Sequence, residues 1–185
     1  MKRDLRITVT KRMIREALVG LLETKPLEKI KVNELCECSG VNRATFYRHY
    51  ESIHDVLREI EMEFIRQMPR PAALPKTEEE ARSHVKAVCA YFYGHGDMIR
   101  LLFLNRTDGD MMQGMSDFYS SFLEVRKKTM PVADVDEDTA KAIVALISGG
   151  GYCLLRQWIL GDIRKTPDQI ADILCNVIRW HDRGI

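Results

Sequence analysis

The sequence predicts an all-α protein with a small head and a larger body. Apolar residues recur at i, i+3 and i+4 through most of the 185-residue chain, which is the period of a one-sided helix. Capping residues and prolines stand where those stripes begin and end. No stretch alternates apolar and polar with the period of a strand, and no internal repeat or low-complexity tract interrupts the pattern. The punctuation gives about nine helices, with a boundary in the proline-rich run Pro69, Pro71 and Pro75, where a helix cannot continue. Residues 1–68 then form an N-terminal three-helix head with its connecting helix. Residues 69–185 form the C-terminal body.

Met1 to Ile7 reads as a charged lead-in, and Thr8 or Thr10 caps a first helix with the stripe Ile14, Ala17, Leu18, Leu21 and Leu22. Pro26 closes it, and Leu27, Ile30 and Val32 carry the apolar pattern onward. From Lys31 to Tyr50 the spacing predicts two short helices joined by a tight turn. Val32, Leu35 and Cys36 share one face, and Gly40 supplies the backbone freedom that ends the first of the two. Asn42 is placed to cap the second by accepting from the amide of Ala44 or Thr45. There Phe46 and Tyr50 point inward. Arg43, Thr45, Tyr47, Arg48 and His49 are left on the tip and outer sides, cationic and hydrogen-bonding with no acid among them. Such a face suits a DNA major groove. By itself the pattern also describes an ordinary αα-hairpin with a basic exposed side.

Ser52 caps a fourth helix that runs to about Met68, with Val56, Leu57, Ile60 and Phe64 inward. In the body, Thr77 and Glu80 form a capping box for a helix from Glu78 to Tyr93. Gly94 to Asp97 breaks that helix, and Met98 to Leu104 is a short apolar one. A helix from about Asp110 to Thr129 carries Met111, Met115, Phe118, Phe122 and Val125 at helical spacing. Asp136 caps a long helix to about Leu160 that contains Gly149, Gly150 and Gly151. The last opens with Thr166, Pro167 and Gln169, a cap, a first-turn proline and a capping-box glutamine.

Composition narrows the function classes. Residues 1–50 carry 11 Lys/Arg against 6 Asp/Glu, and residues 51–185 carry 17 against 21, so a basic head joins a mildly acidic body. That is the layout of a protein presenting one end to phosphate. No leader or membrane-spanning run is visible, and five scattered cysteines argue for a reducing cytoplasm over a disulfide scaffold. Cys36 and Cys38, two apart on a helix, point to different sides and make a poor chelate. Glu51 and His54 occur once at di-iron spacing where such sites need two copies. Glu80, His84, Cys89, His95 and Asp97 are the one loose group of metal-binding types, and a solvated set describes them better. No nucleophile elbow, Walker loop or dinucleotide fingerprint appears. The sequence gives no metal site, no cofactor and no catalytic constellation.

The run Val41 to Tyr50 (Val-Asn-Arg-Ala-Thr-Phe-Tyr-Arg-His-Tyr), with the amphipathic helix before it and Tyr50 to Leu57 after it, resembles the recognition helix of TetR/AcrR-family transcriptional regulators. The resemblance covers about Thr8 to Ile60. It implies a helix-turn-helix head that binds double-stranded operator DNA, and a body that binds a small molecule and forms a homodimer. By position, the DNA-binding residues are Lys31, Asn42, Arg43, Ala44, Thr45, Tyr47, Arg48 and His49. Lys31 stands where a Ser or Thr commonly caps the second helix, and Ile53 where a Lys commonly meets phosphate.

The resemblance also implies an effector pocket, partly apolar, and the aromatic and methionine positions Phe92, Phe103, Met111, Met115, Phe118, Phe122 and Trp158 are its candidates. The same residues also describe plain core. Three consecutive glycines inside an apolar helix ask for a close-approaching helix, a hinge or a break lining that pocket. The resemblance points to the last two long helices packing against their mates in a dimer. The function that follows is a repressor released from its operator by a small molecule. An activator or co-regulator, a metal- or redox-responsive sensor and, more distantly, an α-helical enzyme are the alternatives.

Overall fold

The computed structural model describes residues 2–69, 77–105 and 136–182. It is helical throughout: eight α-helices and one short 3₁₀ turn, with no strand among the described residues. The chain divides into two compact units, Met1–Met68 and Pro69–Ile185.

In the first unit, α1 spans Lys2–Leu22, a 3₁₀ turn Leu27–Lys29, α2 Val32–Ser39, α3 Arg43–His49 and α4 Ile53–Gln67. Helix α1 packs on both α2 and α4, and α2 packs on α3. Ile14, Leu18, Leu35, Phe46 and Val56 are fully buried where these faces meet. Truncating a buried phenylalanine such as Phe46 costs about 3–5 kcal/mol, so one short helix is held by one large anchor. The start of α1 departs from the expectation. It begins at Lys2 rather than beyond Thr8 or Thr10, because Thr10 does not cap: its hydroxyl donates back to the Arg6 carbonyl at 2.9 Å, inside the helix. Helix α4 opens on a full capping box, with the Ser52 amide donating to Asp55 at 2.8 Å and the Asp55 amide to Ser52 Oγ at 3.3 Å.

In the second unit, α5 spans Glu78–Gly94, α6 Gly96–Leu104, α7 Glu137–Leu160 and α8 Pro167–Asp182. Thr77 Oγ1 accepts from the Glu80 amide at 3.2 Å, and Asp136 Oδ1 accepts from the Thr139 amide at 3.0 Å. Thr166 and Gln169 form both halves of their capping box, at 3.1 and 3.3 Å. Helix α8 packs along α5, where the fully buried Ala171 allows close approach. Arg82 pairs with Asp172, and Lys86 with Asp168 at 3.0 Å, across that contact. Helix α6 packs on α7 over Ile99, Leu102 and Phe103.

Helix α7 is long and apolar enough to cross a membrane by length and composition. Its Ile147, Tyr152, Leu155, Trp158 and Ile159 are nevertheless buried within the unit, as in a core helix. The glycines do not break it. Among the described residues, a Cβ added at Gly149 or Gly150 would meet nothing within 4 Å. Neither a helical break nor a crowding neighbour within the described residues accounts for these two glycines. The expected helix from Asp110 to Thr129, with Met111, Met115, Phe118 and Phe122, lies outside the described residues.

Candidate nucleic-acid interface

The turn before α3 is set by backbone chemistry. Gly40 takes φ +67°, the left-handed region that a residue with Cβ enters at a penalty. Its amide donates to Glu37 at 3.3 Å, and the Val41 amide to Cys36 at 3.1 Å, which satisfies the last carbonyls of α2. Val41 is buried as the plug of the turn. Asn42 Oδ1 then accepts from the Thr45 amide at 2.8 Å, choosing Thr45 of the two amides within reach. Lys31, as its identity foretells, caps α2 with no side-chain hydrogen bond.

These constraints leave one face of α3 outward. Lys31, Asn42, Arg43, Ala44, Tyr47 and Arg48 are exposed, while Thr45 and His49 are half-buried. Phe46 is fully buried and Tyr50 nearly so. Helix α3 holds no acidic residue in its first turn, and Arg48 and His49 lie in its last turn, where they also suit the helix dipole. The Arg43 guanidinium lies over the Tyr47 ring, 5.8 Å from its centroid, and the Tyr47 ring meets Phe46 edge-on at 5.4 Å. Ile53 is buried, so its side chain supplies no cation at that position; His54 beside it is exposed.

A cluster that no local pattern announces ties α3 to the rest of the head. Glu59 on α4 accepts from Lys11 Nζ at 2.8 Å and from Arg15 Nη1 at 2.7 Å, both on α1. Lys11 also sits over the Tyr50 ring, 5.0 Å from its centroid. Burial first, and then the Glu59 carboxylate, push the Tyr50 hydroxyl well above its usual range. Burial opposes ionisation of Glu59, but Lys11, Tyr50 and Arg15 offset it and hold the carboxyl below its ordinary value. Arg15 and Lys11, 44 and 48 positions before Glu59, thus meet on one carboxylate, and Lys11 reaches the end of α3 through the Tyr50 ring.

Of the pocket candidates, Phe92, Phe103 and Trp158 are described, and all three are buried. The structure gives these residues and their surroundings specific partners. Phe103 meets Tyr152 edge-on at 5.7 Å, Trp158 stacks on Tyr93 at 5.9 Å, and Arg100 donates to the Ile159 carbonyl at 2.8 Å. Trp158 Nε1 donates to the Lys165 carbonyl at 2.8 Å, which fixes its ring.

Two of the body's titratable groups, Cys89 and His84, are embedded in packing. Burial pushes the Cys89 thiol up to about 12 and the His84 imidazole down, which disfavours thiolate and imidazolium there. Cys36 is buried and Cys38 exposed, so the two point apart. Among the described residues, no three of His, Cys, Asp and Glu converge as metal ligands.

A TetR-type family model, described as a transcriptional regulator C-terminal region, matches residues 79–179. No curated protein matches the sequence. Among solved structures, the chain is similar to a TetR transcriptional regulator from Streptococcus agalactiae 2603V. The identity is 22%, with 96% of this chain and 98% of that one covered, at a TM-score of 0.71. It is also similar to the dihydroxyacetone kinase operon activator DhaS, at 13% identity, with 94% and 96% covered and a TM-score of 0.64. At these identities the two structures speak for the fold, over head and body alike. The family model spans more than half of the chain, and the protein belongs to the TetR family of transcriptional regulators.

Proposed function

We propose that the protein binds operator DNA as a homodimer through α3 and regulates transcription in the cytoplasm, as a repressor released when a small molecule enters the body. The observation that carries the DNA reading is the exposed, acid-free face of α3, with Arg43, Ala44, Tyr47 and Arg48 outward and Phe46 anchored in the core. Arg43 near the tip has the donors for a guanine edge, and Lys31, Thr45, Arg48 and His49 flank it as backbone contacts. Helix dimerisation through α7 and α8 is supported by exposed apolar residues, Leu146 and Val177, and by the open space around Gly149 and Gly150. The effector reading rests on the aromatic body residues, of which Phe92, Phe103 and Trp158 are buried together with Tyr152.

Selection of binding sites from a randomised duplex library with the full-length protein tests the reading. It should return a pseudo-palindrome whose half-sites lie about one helical turn, roughly 34–36 Å, apart or a multiple of that. Enrichment of no sequence would contradict it. Because DhaS, with the same fold, is an operon activator, activation is the second reading. A reporter placed behind the selected site separates the two: expression falls in the presence of a repressor and rises with an activator.

A further inference from the structure

We propose that Tyr47 is a positioning residue for sequence readout, its ring holding the Arg43 guanidinium in the orientation that meets a base edge. The proposal rests on the reading of α3 as the recognition helix. Its geometry is an (i, i+4) pair on one helix face, with the guanidinium carbon 5.8 Å from the Tyr47 ring centroid, inside cation–π range. The ring is itself steadied: it meets the fully buried Phe46 edge-on, at 5.4 Å and 85°. A rigid core residue thus backs an exposed aromatic, which backs an exposed cation.

What makes this arrangement suited to readout is that no hydrogen-bond acceptor is spent on the arginine. An acidic neighbour would orient Arg43 by occupying its N–H donors. Among the described residues, no ion pair or hydrogen bond engages this guanidinium, and the contact that is present is with the Tyr47 ring, 5.8 Å from its centroid. The forked donors at its edge stay free for a bidentate contact with guanine O6 and N7. The ring also removes rotamer freedom that a long, exposed arginine would otherwise lose on binding. Tyr47 therefore acts on discrimination at the base pair that Arg43 reads, beyond any phosphate contact of its own hydroxyl.

The test uses the full-length protein and a duplex recovered from the randomised library, with each base pair varied in turn. Arg43→Ala should abolish preference at one base pair per half-site. Tyr47→Leu should lower preference at that same base pair roughly two- to fivefold and leave the other positions unchanged. Tyr47→Phe, which keeps the ring, should preserve preference there even if overall affinity falls. The double variant Arg43→Ala/Tyr47→Leu should lose no more preference at that base pair than Arg43→Ala alone. Tyr47→Gln, suited to an exposed helical position, serves if the leucine variant folds poorly. Uniform weakening across all sequences by Tyr47→Leu, or equal loss by Tyr47→Phe, would overturn the proposal while leaving DNA recognition by α3 intact. An Arg43→Ala protein with unchanged preference would overturn the recognition reading of Arg43 itself, and the proposal with it.

Discussion

Arg15 on α1 and Glu59 on α4 meet at 2.7 Å, and Lys11, which shares that carboxylate, lies over the Tyr50 ring at the end of α3. The head is therefore held by a charged clasp as well as by its apolar core. Helix α4 runs to Gln67 with Val56 and Leu57 buried, as Phe46 on α3 is.

The clasp makes stability depend on pH with a definite sign. Glu59 is held below its ordinary pKa in the folded state, so its contribution is present above the usual carboxylate range and is lost as pH falls through the folded value. Glu59→Gln should lower stability at neutral pH by about 1–2 kcal/mol, since one carboxylate serves two partly buried cations. In urea melts the gap between wild type and variant should close as the solution is made acidic. A gap that stays constant would show that the ion pairs contribute nothing.

Gly40 offers a backbone test. A Cβ there would meet only Met13 Cε, at 3.9 Å, so space is available and the penalty is conformational. Gly40→Ala should destabilise the protein by about 1–2 kcal/mol, and Gly40→Asn by less, because Asn tolerates the left-handed region. Equal melting of all three proteins would refute that account of the turn.

The glycines of α7 behave oppositely. Gly150→Ala places its Cβ in open space, so the isolated chain should gain up to about 1 kcal/mol of helix propensity. If a partner helix packs there, Gly150→Leu should convert a dimer to monomer in sedimentation velocity while the helical signal persists. An unchanged dimer would move the interface elsewhere.

Local chemistry made most of the fold legible. Asn42, Ser52, Asp136 and Thr166 each announce a helix start because a cap is a short-range contact, and each start is formed as expected. Gly40 announces the turn for the same reason. The beginning of α1 was not legible, since Thr10 serves as well for a back-bond inside a helix as for a cap. Glu59 was not legible either: on α4 it reads as one more solvated acid, and only the tertiary fold brings Lys11 and Arg15 to it. The contact of Arg43 with the Tyr47 ring lay between these cases, implied by the (i, i+4) spacing but visible only with side chains in place.

The most direct test of the central claim is the salt dependence of binding to the selected duplex. If α3 and its flanks lie along phosphates, log affinity should fall linearly with log salt, with a slope near −0.9 per phosphate neutralised. Replacing exposed Lys31 or Arg48 with Ala should each flatten that slope by about one unit per subunit, with sequence preference retained. A steep line that flattens in both variants is the predicted result. A flat wild-type line, or slopes indifferent to Lys31 and Arg48, would contradict the account.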